Sequence, residues 1–363
     1  MADARFAIDP DVAIAATLPS AFYLDPLVCQ QVREKIFASA WHWLGRLDDV
    51  AAPGSLAPRE LLPGLLNEPL LLARDLAGKL RCLSNVCTHR ASLLVQQPCR
   101  ADHIRCPYHS RRFELDGRLR TMPGFDGVRN FPSASDDLPE LAFGEWAGHG
   151  FASLSPRWPL ASWLDEMAQR LAWLPAKEWP ADASRSRSFE FDAHWALYVE
   201  NYLEGLHIPF VHPGLSGALD PAGYRYELGE AAVLQLALAR DGEAAFEPPA
   251  GSPDHGLRVA AYYWWLFPNL MLNFYPWGLS VNVVEPIGIA RTRVLFRSFV
   301  ADRSLLGQGA GGALDPVEAE DEAVVCSVQR GIRSRLYRRG RYSARHERGV
   351  HHFHRLIAAA LSA

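Results

Sequence analysis

Two mixed metal-ligand motifs constrain this chain more than anything else in it: Cys87-Thr88-His89 and, after sixteen residues, Cys106-Pro107-Tyr108-His109. Both sit among short apolar runs broken by Gly, Pro and Asn, the texture of a small all-β domain. Two turns of that kind can bring two thiolates and two imidazoles to one point. A tetrahedral zinc site accepts such a set, but zinc fingers normally keep their cysteines together and their histidines together. Here each motif carries one of each. That order suits a [2Fe–2S] cluster with two cysteines on one iron and two histidines on the other, neutral imidazole making its iron easier to reduce. The bland alternative is two buried thiols beside incidental histidines.

Composition narrows the rest. A chain of 363 residues, 49% hydrophobic, with 11 Trp, 17 Phe and 11 Tyr, has ample material for a buried core and is not dominated by disorder. Its 37 basic and 41 acidic residues give a net charge of −4, no footprint for nucleic acid or an anionic membrane. Six cysteines are too sparse for a disulfide scaffold. The acidic start lacks a signal-peptide pattern, and the apolar stretch 259–284 is interrupted by Pro268, Asn269, Asn273, Pro276, Gly278 and Asn282. Buried strands and a cytoplasmic location are therefore expected.

The spacing of apolar residues predicts helices over 25–43, 159–174, 193–206, 316–330 and 349–360. Strands are expected around 231–238, 259–266, 279–284 and 292–300, with Asp116-Gly117 as a hairpin turn and 304–313 as a flexible loop. The domain expectation is an N-terminal helical segment (1–42), a small β domain (43–155) and a larger domain (156–363).

A second constellation follows about a hundred residues after the first: Asn201, Glu204, His207 and His212. Pro209 is expected to end the helix, leaving His207 in its last turn and His212 just beyond. Two imidazoles and a distant carboxylate make the facial triad of a mononuclear Fe(II) site with open coordination positions. Alone, H-x-x-x-x-H is weak.

The first constellation resembles the Rieske domain of ring-hydroxylating oxygenases, which typically reads C-T-H-R-G and C-P-Y-H-G-W-x-F-D-x-D-G-x-L. This chain reads CTHRA and CPYHSRRFELDGRL, so Ala91, Ser110 and Arg111 depart from Gly, Gly and Trp. The second resembles that family's N-x-x-x-x-x-H-x-x-x-x-H iron site. The stretch from Glu320 to Gly331 resembles its E-D-x-x-x-x-x-x-x-Q-R-G segment, which points to Asp321 as third ligand, with Glu318, Glu320 and Glu322 as rivals. The resemblance implies an α+β fold: an all-β Rieske domain plus a helix-grip antiparallel-sheet catalytic domain. It also implies Cys87, His89, Cys106 and His109 as cluster ligands, and His207, His212 and Asp321 as iron ligands. Glu204 would bridge a cluster histidine of one subunit to an iron histidine of the next, in a homotrimer. Asn201 would support the site or pack its helix.

The aromatic stretch 262–277 offers a pocket wall, with Trp265, Phe267, Asn273, Tyr275 and Trp277 as candidates alongside Leu206 near the iron. F-P-N-L-M-L-N, Gln329-Arg330-Gly331 and the terminal His351-His352-Phe353-His354 resemble the choline, glycine-betaine and carnitine monooxygenase branch. Gly205 and Leu206 depart from its Cys and Tyr. The expected enzyme is a terminal oxygenase component using O2 and electrons from a separate NAD(P)H-dependent reductase, with or without a ferredoxin, because no dinucleotide or flavin fingerprint is present. It would hydroxylate or N-demethylate a small quaternary ammonium compound. Aromatic ring hydroxylation or O-demethylation of an aromatic acid is the alternative. A Rieske electron carrier and a non-catalytic binding module are the readings from other classes. The terminal His-His-Phe-His reads as helix packing.

Overall fold

The computed structural model describes residues 4–212, 224–312 and 314–363. It separates into two compact units, Ala38–Arg157 and the pair of segments Met1–Phe37 with Trp158–Ala363. Each is built around antiparallel sheet.

The chain opens with two short helices, α1 (Ser20–Leu24) and α2 (Pro26–Val32), then a π-helical turn at Arg33–Phe37. One continuous helix was expected here. It starts where expected, since Asp25 is extended and caps α2 through Leu27 N–H and Pro26 occupies a first-turn position that needs no amide donor, but it ends at Phe37, and His42–Arg46 is a strand. Phe37 and Tyr23 reach residues of the larger unit, Phe37 packing edge-on against Trp195 and Tyr23 donating to Glu200 at 2.7 Å.

The small unit holds ten strands: β1 (His42–Arg46), β2 (Ser55–Leu61), β3 (Glu68–Arg74), β4 (Leu80–Ser84), β5 (Cys99–Arg100), β6 (Ile104–Arg105), β7 (Arg112–Phe113), β8 (Leu119–Thr121), β9 (Ala142–Trp146) and β10 (His149–Ser153). They form sheets ordered β1-β10-β9, β4-β3-β2-β5 and β6-β7-β8. Leu71, Leu83, Ile104 and Phe113 pack with Cys87 and Cys106 in one buried cluster, so the thiols belong to the core. The Asp116-Gly117 turn joins β7 to β8, with Gly117 at φ +90°.

In the larger unit, α3 (Leu160–Arg170) buries Trp163, Leu164 and Met167 at helical spacing. Then come β11 (Ala181–Phe191), α4 (Trp195–Tyr202), α5 (Ile208–Val211), β12 (Arg225–Leu228), β13 (Ala232–Leu238), β14 (Val259–Leu266), β15 (Leu270–Tyr275), β16 (Gly278–Gly288) and β17 (Arg291–Val300). The seven strands make one antiparallel sheet ordered β11-β17-β16-β15-β14-β13-β12. The stretch 259–284 is β14, β15 and part of β16, and no helix among the described residues is long and apolar enough to cross a membrane. Two long helices close the unit, α6 (Leu314–Ile332) and α7 (Arg348–Ser362).

The loop over 304–312 is not free: Ala310 and Gly311 are buried, and a Cβ on Gly311 would lie 2.3 Å from Trp277 Nε1. Small residues let this segment close over the aromatic pair Tyr275–Trp277, stacked at 5.2 Å. Ala313 lies outside the described residues. The terminal histidines pack as expected. His351 meets the Asp9 carbonyl at 2.7 Å, and His354 lies between the Tyr342 hydroxyl (2.6 Å) and Glu200 (3.1 Å).

His149 and His194 are each 2% exposed, and burial pushes both pKa values down to about 3. His149 Nδ1 accepts from Trp43 Nε1 at 3.0 Å, a bond the neutral ring makes. An unfolded histidine takes up its proton near pH 6.5, so below that the unfolded chain binds more protons and stability falls. Each histidine contributes a slope of about 1.4 kcal/mol per pH unit between its folded value and about 6.5. Denaturant unfolding from pH 5 to 7 should show stability rising with pH, and His149→Gln should remove about one proton's share of that slope. An unchanged slope would place His149 in contact with solvent.

Candidate metal centres and substrate cavity

In the small unit the two motifs form matching turns. Ala91 N–H donates to Cys87 O at 3.0 Å and Ser110 N–H to Cys106 O at 3.1 Å. The closing residues are left-handed, Ala91 at φ +54° and Ser110 at φ +59°, which accounts for glycine at these places in the family pattern. Thr88 Oγ1 in one turn donates to Asp136 O at 2.7 Å, and Arg111 beyond the other donates to Asp136 Oδ1 at 2.8 Å. Asp136 thus ties both turns together. Arg111, where the family has Trp, is 2% exposed and lies 5.6 Å over both Phe113 and Phe131, filling an aromatic position with a paired cation.

Cys87 and Cys106 are buried with their thiols in hydrogen-bonding reach of each other, and the His89 and His109 rings lie 4.8 Å apart. Burial raises the Cys87 pKa. Burial also opposes ionisation of Cys106, but the N–H groups of His109 and Tyr108 outweigh it and hold that thiol below its ordinary value. His89 Nδ1 is buried with no protein partner among the described residues. Adjacent thiols, paired rings and an orphaned ring nitrogen are what a [2Fe–2S] cluster needs.

In the larger unit, His207, His212 and Asp321 offer ligand atoms all within 4.8 Å of one another. Their arrangement follows from hydrogen bonds on the far side of each ring. His207 Nδ1 meets Glu204 Oε1 at 2.5 Å and His212 Nδ1 meets Glu320 Oε2 at 2.6 Å. Both Nε2 atoms are thereby turned toward Asp321 Oδ1, at 3.5 Å from His207 and 2.9 Å from His212. Carboxylates behind ligating imidazoles fix tautomer and orientation and raise basicity. Burial would lower the His207 pKa, but Glu204 and then Asp321 raise it; burial raises that of Asp321. Asn201 hydrogen-bonds Asp321. Two neutral nitrogens and one carboxylate oxygen, backed by further carboxylates, suit a divalent iron.

Locally the chain differs from the expected single helix. α4 stops at Tyr202, Glu204 and Gly205 lie beyond it, and His207 caps α5. Pro209 falls in the first turn of α5, where its missing N–H costs nothing, so it starts a helix rather than ending one. Glu204 holds its place as a turn residue, accepting from Leu206 N–H and His207 N–H as well as from the ring. Of the rival carboxylates, Glu320 serves His212 and Glu318 accepts from Tyr198 at 2.6 Å. Burial pushes the Glu318 pKa up to about 8.

A cavity of about 140 Å³ adjoins His207, His212 and Asp321. Asn273 and Tyr275 line it as expected, with Tyr198, Tyr202, Tyr224, Tyr263 and Phe296. Trp265, Phe267, Trp277 and Leu206 do not. Trp265 shares the inner sheet face with Tyr263, but α7 covers it there through Phe353, ring to ring at 5.2 Å. Phe267 packs against Trp158 and Trp265 in the turn after β14. Trp277 sits behind Tyr275, and Leu206 is exposed. The lining tyrosines at 198 and 202 were legible in principle, one helical turn apart on the face that carries Asn201.

Comparison with known proteins decides the family. The profile of the ring hydroxylating alpha subunit (catalytic domain) matches residues 171–363, and that of the Rieske [2Fe-2S] domain matches 40–132. The chain belongs to the ring-hydroxylating oxygenase alpha subunits. As a Rieske non-haem iron oxygenase it carries a [2Fe–2S] cluster and a mononuclear iron. It is 29% identical to the chloroplastic choline monooxygenase of Arabidopsis thaliana, over 96% of this chain and 84% of that one. It is also 29% identical to the carnitine monooxygenase oxygenase subunit of Escherichia coli (strain K12), over 95% and 93%. A quaternary ammonium Rieske monooxygenase solved with L-carnitine superposes at a TM-score of 0.75, with 25% identity and 97% of each chain covered. Naphthalene 1,2-dioxygenase from Rhodococcus sp. shares the fold at a TM-score of 0.71, with 18% identity over 95% of this chain and 93% of that one.

Two substitutions test the oxygenase site. Asp321→Ala should lower iron from about three to about two per chain while the cluster's visible spectrum stays intact. Glu320→Gln should weaken mononuclear iron binding about 10- to 100-fold in a chelator competition, with the cluster again unaffected. In the small unit, Ala91→Gly should relieve left-handed strain and stabilise by up to about 1 kcal/mol in denaturant unfolding.

Proposed function

We propose that the oxygenase inserts oxygen into a small quaternary ammonium compound, leading to hydroxylation or loss of an N-alkyl group. The cavity lining carries the reading. Six aromatic rings face it together with Glu204, Glu318 and Asp321, and no Lys or Arg lies among the described lining residues. Aromatic faces, with no fixed cation beside them, attract a cation that offers no hydrogen-bond donor. The two relatives named for choline and carnitine support the same class.

In this proposal Cys87, His89, Cys106 and His109 hold the cluster, and His207, His212 and Asp321 hold the iron. When bound, the cluster supplies single electrons and the iron activates dioxygen. The chain's own residues do the rest. The phenols of Tyr198, Tyr202, Tyr224 and Tyr275 are kept neutral by burial, which pushes their pKa values well up. They hold the onium group and exclude water. Asn201 orients Asp321. Glu204 keeps His207 Nδ1 engaged and offers the path by which an electron from His109 of the partner subunit reaches that ring, which makes the working form a homo-oligomer, a trimer in this proposal. Inter-subunit electron transfer is named for the solved quaternary ammonium enzyme. A separate NAD(P)H-dependent reductase supplies the electrons.

Oxygen uptake with a generic reductase should be stimulated by trimethylammonium compounds and not by aromatic acids; the opposite pattern would move the enzyme to aromatic chemistry. Tyr263→Leu should raise KM for an onium substrate about 10-fold with little change in metal content. Glu204→Gln should keep both metal groups yet slow single-turnover electron transfer about 10- to 100-fold. Unimpaired single-turnover rates would remove Glu204 from the path.

A further inference from the structure

A second cavity, of about 170 Å³, lies against the same sheet face near the start of α6. It shares Phe296 and Glu318 with the iron-site cavity, so the two adjoin at those side chains. Their charge differs. The iron-site lining has no basic residue among those described, whereas the second cavity is lined by Arg185 and Arg187. Arg187 is already engaged, with Asp315 at 3.8 Å and the Ser184 and Ser186 carbonyls at 2.7 and 3.1 Å. Arg185 is not. Its guanidinium lies 5.6 Å over Trp277, and its Nε is buried with no partner among the described residues.

A buried, unpaired Nε–H donor is costly unless something fills its hydrogen bond. The planar guanidinium fork matches a carboxylate. Glu318 is 6% exposed and its Oε1 is also unpaired among the described residues, so the boundary the two cavities share carries a polar group. The order along the sheet is then the tyrosine-lined cavity, the shared boundary at Phe296 and Glu318, and Arg185.

We propose that the substrate is a zwitterion, its ammonium group in the tyrosine-lined cavity and its carboxylate on Arg185 in the adjoining one. This rests on the quaternary ammonium reading and specifies it. Arg185 selects among onium compounds by the charge at their far end, favouring an ω-trimethylammonio carboxylate over an amino alcohol of the same cation.

The test is equilibrium binding by calorimetry to the metal-loaded protein, with γ-butyrobetaine and choline as probes. Arg185→Gln should weaken γ-butyrobetaine about 10- to 100-fold and leave choline within about twofold. Arg187→Gln, already paired at the cavity mouth, should leave both within about threefold. Retained choline binding also shows that the Arg185 variant is folded. If Arg185→Gln leaves γ-butyrobetaine unchanged, or weakens choline equally, the carboxylate subsite is overturned while the onium reading stands. If neither probe binds the unaltered protein, both readings fall.

Discussion

The arrangement of the iron site depends on two short imidazole–carboxylate contacts, Glu204 to His207 and Glu320 to His212. Each occupies the outer nitrogen of its ring and leaves the inner one facing Asp321. Without them a buried histidine rotates to find another partner, and two rings on a short connecting segment have no reason to converge. The buried polar atoms are satisfied within the group itself, each outer ring nitrogen meeting a carboxylate oxygen. Glu204 can do this because the chain leaves its helix at Tyr202, so the carboxylate turns back on the loop it precedes.

The sheet provides the other half of the site. Alternation along the strands puts Tyr263, Asn273, Tyr275, Asn282 and Phe296 on one face, and that face lines the cavity. Hydrogen bonds fix several of these groups before any ligand arrives: Tyr202 donates to Asn273 at 2.6 Å and Tyr224 to Gln235 at 3.0 Å. The same face continues under α7 and toward α6, where identical alternation gives packed core or the arginine-bearing cavity. What separates pocket from core is which element lies above each residue.

That explains which parts of the chain could be read directly. Cys87, His89, Cys106 and His109 lie in contiguous motifs whose spacing is itself the geometry, and β13, β14, β16 and β17 announce themselves as apolar runs, whereas β15 is not among the expected strands. Asp321 needed the family pattern, because Glu318, Glu320 and Asp321 share one acidic helix and only the fold sets them against Tyr198, against His212 Nδ1 and between the two histidines. Trp265 and Tyr263 have the same parity, and no local rule says that Phe353 covers one and not the other. The break after Tyr202 was missed because Pro209 reads equally as a helix stop or a first-turn residue. Ala91 and Ser110 look like losses from the motif, yet both hold the left-handed turns that the family's glycines make easily.

The central claim is that one chain assembles two distinct iron environments, a Cys/His cluster and a two-histidine, one-carboxylate site. Mössbauer spectroscopy of reduced, ⁵⁷Fe-enriched protein tests it most directly. The account predicts cluster iron and high-spin ferrous mononuclear iron in an area ratio of about two to one. Cluster iron alone, in protein supplied with excess ferrous ion, would contradict it.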